Sequence, residues 1–200
     1  MTWFWDFLEN FLHSNFMTHH SGNQMVDPYV VFEKARILSG MHVADFGCGR
    51  TGHMVFPVSK IVGEMGVVYA VDILKNVLEQ VKKRSASSAI LNIQTVWGDL
   101  ERENGVAIPK KVLDVAFIVN TLVQTGNHVQ VLDNVLPLLK KKARVVVVDW
   151  AKKGLMFGPS DDRFIGFGEV KSWAGKNGLA VQEEFELGQF HKGLVLYKHE

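Results

Sequence analysis

The stretch "VADFGCGRTGH", Val43 to His53, sets one acidic residue and three glycines in an eleven-residue window. His42 to Phe46 reads as a short buried strand, and "HMVFPVSKIVG", His53 to Gly63, as the helix that follows. Between them Gly47, Gly49 and Gly52 keep the spacing G-x-G-x-x-G. Glycine takes positive φ without strain and lets the backbone approach a ligand closely. Free N–H groups at the start of a helix then face that ligand. The spacing alone is the dinucleotide fingerprint and carries little weight by itself, so its meaning rests on what surrounds it.

On the amino-terminal side, "PYVVFEKARI" (Pro28 to Ile37) reads as a helix. On the other side strands and helices alternate. The strand "GVVYAVDI" (Gly66 to Ile73) precedes the helix "NVLEQVKKRSAS" (Asn76 to Ser87) and the strand "IQTVWGD" (Ile93 to Asp99). After a loop with Pro109 come the strand "VLDVAFIVN" (Val112 to Asn120), the helix "VQVLDNVLPLLKK" (Val129 to Lys141) and the strand "ARVVVVDW" (Ala143 to Trp150). Runs of continuous Val, Ile and Ala are buried on both faces, as in a parallel sheet covered by helices. A helix around "EVKSWAGKNG" (Glu169 to Gly178) leads into two strands within "AVQEEFELGQFHKGLVLYK" (Ala180 to Lys198). Their tight connection makes a hairpin, an antiparallel pair added to the parallel sheet. The predicted fold is α/β, a Rossmann-like doubly wound sheet.

Open α/β sheets bind ligands at the carboxyl ends of their strands. Asp45 lies at the end of the first strand. Asp72 ends the second, where a carboxylate can accept both hydroxyls of a ribose, and Gly98 and Asp99 end the third, within reach of an adenine edge. With "DFGCGRTG", "YAVDI", "WGDL", "LDVAFIVNTL" and "VVVVDW" in this order, the chain resembles class I S-adenosylmethionine-dependent methyltransferases. The resemblance runs from about Val26 to the end and is nearest the small-molecule group that includes the ubiquinone/menaquinone C-methyltransferases. It implies a seven-stranded sheet with an antiparallel last strand, S-adenosyl-L-methionine as cofactor and S-adenosyl-L-homocysteine as product. Carried onto this sequence, Asp45, Gly47, Cys48, Gly49, Arg50, Thr51 and Gly52 hold the methionine end. Asp72 and Ile73 hold the ribose side, Gly98, Asp99 and Leu100 the adenine, and Asn120 closes the pocket after strand four. The family usually reads D-x-G-x-G-T-G, so Arg50 is read as an insertion that widens the loop. Arg50 either hydrogen-bonds the cofactor carboxylate with its bidentate guanidinium or points into water.

Other readings meet specific obstacles. An NAD(P)-dependent oxidoreductase needs a substrate domain or a Tyr-x-x-x-Lys pair, and the chain has neither. Asp45 would also repel a pyrophosphate, whereas it suits the ammonium of methionine. A cofactor-binding module without catalysis is the second rival, and the intact motifs argue against degeneration. Lys and Arg total 22 against 21 for Asp and Glu, so no global field draws polyanions. Lys82-Lys83-Arg84, Lys110-Lys111, Lys140-Lys141-Lys142 and Lys152-Lys153 read as solvated helix ends. An RNA acceptor therefore stands as the alternative to a small molecule. After strand four the sequence is "NTLV", not the Asn/Asp-Pro-Pro-Tyr/Phe motif of adenine or glutamine N-methyltransferases. A single cysteine, Cys48, argues against arsenic methylation and cytosine C5 chemistry, and no Cys/His cluster with zinc spacing predicts a metal.

At the amino terminus, "MTWFWDFLENFL" places Trp3/Phe4, Phe7/Leu8 and Phe11/Leu12 on one helical stripe, with Asp6, Glu9 and Asn10 opposite. Residues 1–25 are expected to form this helix and its linker, and residues 26–200 the methyltransferase domain. The helix packs on the domain, closes as a lid over an apolar pocket, or makes peripheral contact with a membrane surface. With no signal peptide and no apolar run near the 18 or so residues that cross a bilayer, a cytoplasmic location is expected. This helix, Asp149-Trp150 and "LMFGP" (Leu155 to Pro159) together predict a small, partly apolar acceptor, lipid-like or quinone-like. Methyl transfer asks the protein chiefly to align two reactants and exclude water. Where the acceptor is a hydroxyl, thiol or activated carbon, a base helps, and His19, His20, His128, Asp149 and His191 are the candidates.

Overall fold

Seven strands form one sheet in the order β3-β2-β1-β4-β5-β7-β6 in the computed structural model, which describes residues 25–200. The strands are β1 (His42–Phe46), β2 (Val67–Asp72), β3 (Ile93–Trp97), β4 (Leu113–Val119), β5 (Leu139–Trp150), β6 (Leu179–Leu187) and β7 (His191–Lys198). Helices α1 (Pro28–Ala35), α2 (Val55–Val62), α3 (Lys75–Ser87), α4 (His128–Val135) and α5 (Phe167–Lys176) flank it. Strands β1 to β5 pair in parallel, and β7 runs antiparallel to both β5 and β6. This is the doubly wound sheet with an antiparallel final strand that the sequence predicts. The aromatic stripe of residues 1–12, His19 and His20 lie outside the described residues. Among the described residues no helix is long and apolar enough to cross a membrane.

Strand alternation divides the core into two layers. Val43, Val68, Ala70, Val115, Phe117, Val146 and Val148 face α1, α2 and α3, where Phe32, Phe56, Val62, Leu78 and Val81 meet them. Ala44, Phe46, Val71, Ala116, Ile118, Val145 and Val147 face α4 and α5, packing on Leu132, Val135, Val170 and Trp173. Each fully buried side chain of this size contributes about 1.5–3 kcal/mol. The layers therefore hold the strands in register, and the register brings their carboxyl ends to one edge.

One element departs from expectation. The helix predicted over Val129 to Lys141 ends at Val135, a 3-10 turn covers Leu136–Leu138, and β5 begins at Leu139. Pro137 in that turn has no N–H to continue the helical ladder. Between Leu113↔Leu139 and Val115↔Arg144 the pairing shifts, so the lysine run bulges from the strand. Lys140 there reaches the Asp114 carboxylate at 2.7 Å. The Lys140-Lys141-Lys142 run is thus strand, and Lys110-Lys111 and Lys152-Lys153 lie in turns and coil. Of the four basic clusters only Lys82-Lys83-Arg84 sits on a helix, α3.

Candidate active site

The glycine loop begins where β1 stops. Gly47, Gly49 and Gly52 have φ of 85°, 64° and 56°, the left-handed region that glycine enters freely. The Gly47 and Cys48 N–H groups both donate to the Val71 carbonyl at 2.9 Å, tying the loop to the end of β2. A Cβ on Gly47 would stand 2.5 Å from Thr121 Oγ1, and one on Gly52 would stand 2.7 Å from the Phe56 ring. Thr121, just after β4, uses the space at Gly47 to donate its hydroxyl to the Phe46 carbonyl at 2.8 Å. The Arg84 guanidinium reaches over from α3, donating to the Thr51 carbonyl at 2.8 Å and lying 4.0 Å above the Phe56 ring. Arg84 therefore braces the loop, where its cluster reads from the sequence as merely solvated. Neither Thr121 nor Arg84 carries a sequence signal for this, because the contacts cross 75 and 33 positions. Arg50 is exposed, and α2 starts only at Val55, after a turn over residues 49–54.

Two acids flank this loop. Asp45 is 2% exposed, and burial, reinforced by the charge of Asp72, pushes its pKa up to about 7. Asp72 accepts from the Gly49 N–H at 3.0 Å through Oδ2 and from the Leu74 N–H at 2.9 Å through Oδ1. A carboxylate offers about four lone-pair sites, so two remain for a ligand. Among the described residues no lysine or arginine pairs with either acid. Two neighbouring buried carboxyls without a cation fit a ligand that brings a positive charge and hydroxyl donors.

The third and fourth strands extend the same edge. Ile73 is half-exposed, and its carbonyl accepts from Trp97 Nε1 at 2.9 Å. The Gly98 N–H donates to the Asp72 carbonyl at 3.1 Å, and Asp99 Oδ1 accepts from the Glu101 N–H at 3.0 Å. Leu100 is buried, and its carbonyl accepts from Asn134 Nδ2 of α4 at 2.8 Å. Asn120 is buried at the end of β4, with φ of 52° and its N–H donating to the Val148 carbonyl at 2.8 Å. Every cofactor residue carried over from the resemblance thus lies along the carboxyl ends of four adjacent strands.

The methyltransferase-domain family matches residues 37–192, from the approach to β1 into β7. The chain belongs to that family. Its fold is that of the class I methyltransferases. A S-adenosylmethionine-dependent methyltransferase from Aquifex aeolicus superimposes with a TM-score of 0.77 over 88% of this chain and 92% of that one, at 22% identity. Aklanonic acid methyltransferase DauC of Streptomyces sp. (strain C5) is 34% identical over 64 residues. That match spans 32% of this chain and 29% of the relative.

Within the methyltransferase, the remaining candidates fall in different surroundings. Asp149 is fully buried at the end of β5, accepting from the Val123 N–H at 3.1 Å and the Trp150 N–H at 2.9 Å. Burial pushes its pKa up to about 7, against the lowering effect of those N–H groups. It anchors the 3-10 turn Leu122–Gln124 from within, each oxygen accepting a backbone N–H. His128 opens α4 behind the Asn127 cap and is partly buried. Burial pushes the Cys48 thiol far above its usual range, with Asp45 and Asp72 adding to the effect, which disfavours the thiolate. His191 is buried against Trp150, with ring centroids 4.6 Å apart, and burial holds its pKa down to about 4.

Proposed function

We propose that the methyltransferase transfers the methyl group of S-adenosylmethionine to a small, partly apolar acceptor seated at the carboxyl ends of β4 and β5. The observation that supports this most directly is the buried Asp45 and Asp72 pair beside a glycine loop. In this reading Asp45 takes the ammonium of the methionine end, and Gly47 to Gly52 supply the backbone against which that end rests. Asp72 receives the ribose hydroxyls on the lone pairs that Gly49 and Leu74 leave. Ile73 lies beside it on the ribose side, with Gly98, Asp99 and Leu100 at the adenine edge and Asn120 closing the far side. Exposed Arg50 either meets the cofactor carboxylate or points into water, and an Arg50→Ala variant with wild-type affinity would mean the latter. The bound cofactor supplies an activated sulfonium methyl. The protein's task is then to hold the acceptor in line and to keep water out. Trp150, Phe157 and Phe190, a cluster with ring centroids 5.2 to 6.2 Å apart, give that acceptor apolar walls. Partial likeness to a methyltransferase named for aklanonic acid also favours a small organic acceptor. A lipid-like or quinone-like body suits the same walls.

Isothermal titration with S-adenosylhomocysteine, with NADH and NADP+ in parallel, tests the reading. Micromolar binding of S-adenosylhomocysteine alone is expected, and binding of a nicotinamide nucleotide instead would overturn it. Asp72→Ala is expected to weaken the binding by about 1.5–3 kcal/mol, the loss of charge-assisted hydrogen bonds. Because Asp72 also holds Gly49, a thermal melt of the variant separates lost contact from lost loop order. Unchanged affinity would refute the ribose assignment.

A further inference from the structure

The carboxyl edge continues past the glycine loop into the aromatic cluster. Trp150 at the end of β5 and His191 at the start of β7 are register partners. By strand alternation their side chains project on the face of Val148 and Val195, which is also the face of Asp45. Strands β1, β4, β5 and β7 are successive neighbours. At about 4.8 Å per strand, the cluster begins about 10 Å from the glycine loop strand, with β4 between them.

His191 is the exception inside the cluster. It is 3% exposed, and among the described residues neither Nδ1 nor Nε2 has a hydrogen-bond partner. An unsatisfied buried polar group costs about 1–3 kcal/mol. Native proteins keep such groups rarely and for a reason, and a missing ligand is one. A neutral imidazole presents one donor and one acceptor, which a hydroxyl can answer on either side. Trp150 packs on the imidazole, and Phe157 and Phe190 pack on Trp150 in turn, so the cluster offers ring faces and edges, which suit a flat aromatic body. Phe157 lies in coil between Gly154 and Gly158, whose φ values are 72° and 89°. A Cβ on Gly158 would stand 3.0 Å from the Trp150 ring, so the loop backbone closes directly on the indole.

We infer that His191, with Trp150, Phe157 and Phe190, forms the acceptor pocket, and that the acceptor is a flat aromatic molecule carrying a hydroxyl. This rests on the methyl-transfer reading above. Displacement of Phe157 admits the ring, and the hydroxyl satisfies His191.

The test uses the full chain labelled with nitrogen-15 in its histidine rings, saturated with S-adenosylhomocysteine, and the probes 2-naphthol and naphthalene. The expected result is that 2-naphthol moves the ring-nitrogen signals that vanish in His191→Phe, and binds about tenfold more tightly than naphthalene. In His191→Phe that ratio falls towards one while naphthalene binding persists. His191→Gln, which keeps a hydrogen-bonding group, restores part of the ratio and stands in where the phenylalanine variant folds poorly. Phe157→Ala, which removes the ring that must be displaced, leaves the ratio alone. A purely structural histidine would lower the melting temperature in its variants without changing the ratio. Unmoved His191 signals, a ratio that survives His191→Phe, or failure of both probes to bind overturns the pocket. Should S-adenosylhomocysteine itself fail to bind, the methyl-transfer reading falls instead.

Discussion

At the scale of single residues, Asp45 has the least ordinary chemistry. A free aspartate ionises near pH 3.9, whereas burial and the neighbouring Asp72 hold this one at about 7. A cationic ligand needs the carboxylate, so binding must expel the proton wherever the unliganded protein holds it. Affinity for S-adenosylhomocysteine is therefore expected to rise from pH 6 to pH 7, by up to about tenfold per pH unit, and to level off above. Calorimetry in two buffers of different ionisation enthalpy reads the released proton directly, and Asp45→Asn is expected to abolish it. A flat profile in the wild type would remove Asp45 from the cofactor site. Asp45 and Asp72 are legible in the sequence because each ends an apolar strand beside glycine. Thr121 and Arg84 are not, because only the folded sheet sets their side chains against Phe46 and Thr51.

Elements depend on anchors of the same hidden kind. Asp149 joins the end of β5 to the 3-10 turn after β4 by accepting from the Val123 and Trp150 N–H groups. Asp149→Ala strands those donors in the interior and is expected to cost about 1–3 kcal/mol of stability, measured by urea unfolding. Stability equal to wild type would mean that water replaces the carboxylate there. The stretch from Leu136 to Lys142 shows why element boundaries resist sequence reading. Its apolar spacing fits the continuation of a helix, yet Pro137 ends α4, and pairing with Leu113 draws Leu139 into β5. The lysines bulge out because the strand turns to its partner on β4, which lies far away in the chain.

For the whole molecule, three buried titratable groups shape stability against pH. Asp45 and Asp149 are raised from 3.8 to about 7, so the native state binds more protons than the unfolded state between those values. Their stabilisation is full below about 4 and is lost as pH rises through about 7. His191 acts oppositely, since its pKa is lowered from 6.5 to about 4 and its contribution is lost as pH falls through that range. Asp162 and Glu184 are lowered by hydrogen bonds from their neighbours and titrate below this window. Two acids outweigh one imidazole, and above 6.5 only the acids act. The unliganded protein is expected to lose roughly 1–2 kcal/mol from pH 6 to pH 8, several degrees in Tm. Differential scanning calorimetry checks this, and Asp45→Asn should flatten the decline; a Tm that rises over the same range would contradict it.

Local periodicity and strand-end residues were enough, by themselves, to establish the α/β class, the parallel sheet with its antiparallel finish, the glycine loop and the acids beside it. These features repeat every two or 3.6 residues or sit within one turn of a strand, so a linear chain displays them. Tertiary structure alone decided that Thr121 fills the space at Gly47, that Arg84 braces Thr51, that Asp149 serves the backbone, and that His191 lies buried without a hydrogen-bond partner among the described residues. Each of those depends on which distant strands become neighbours, and a side chain's role in a core is set by the atoms packed against it rather than by the residues on either side.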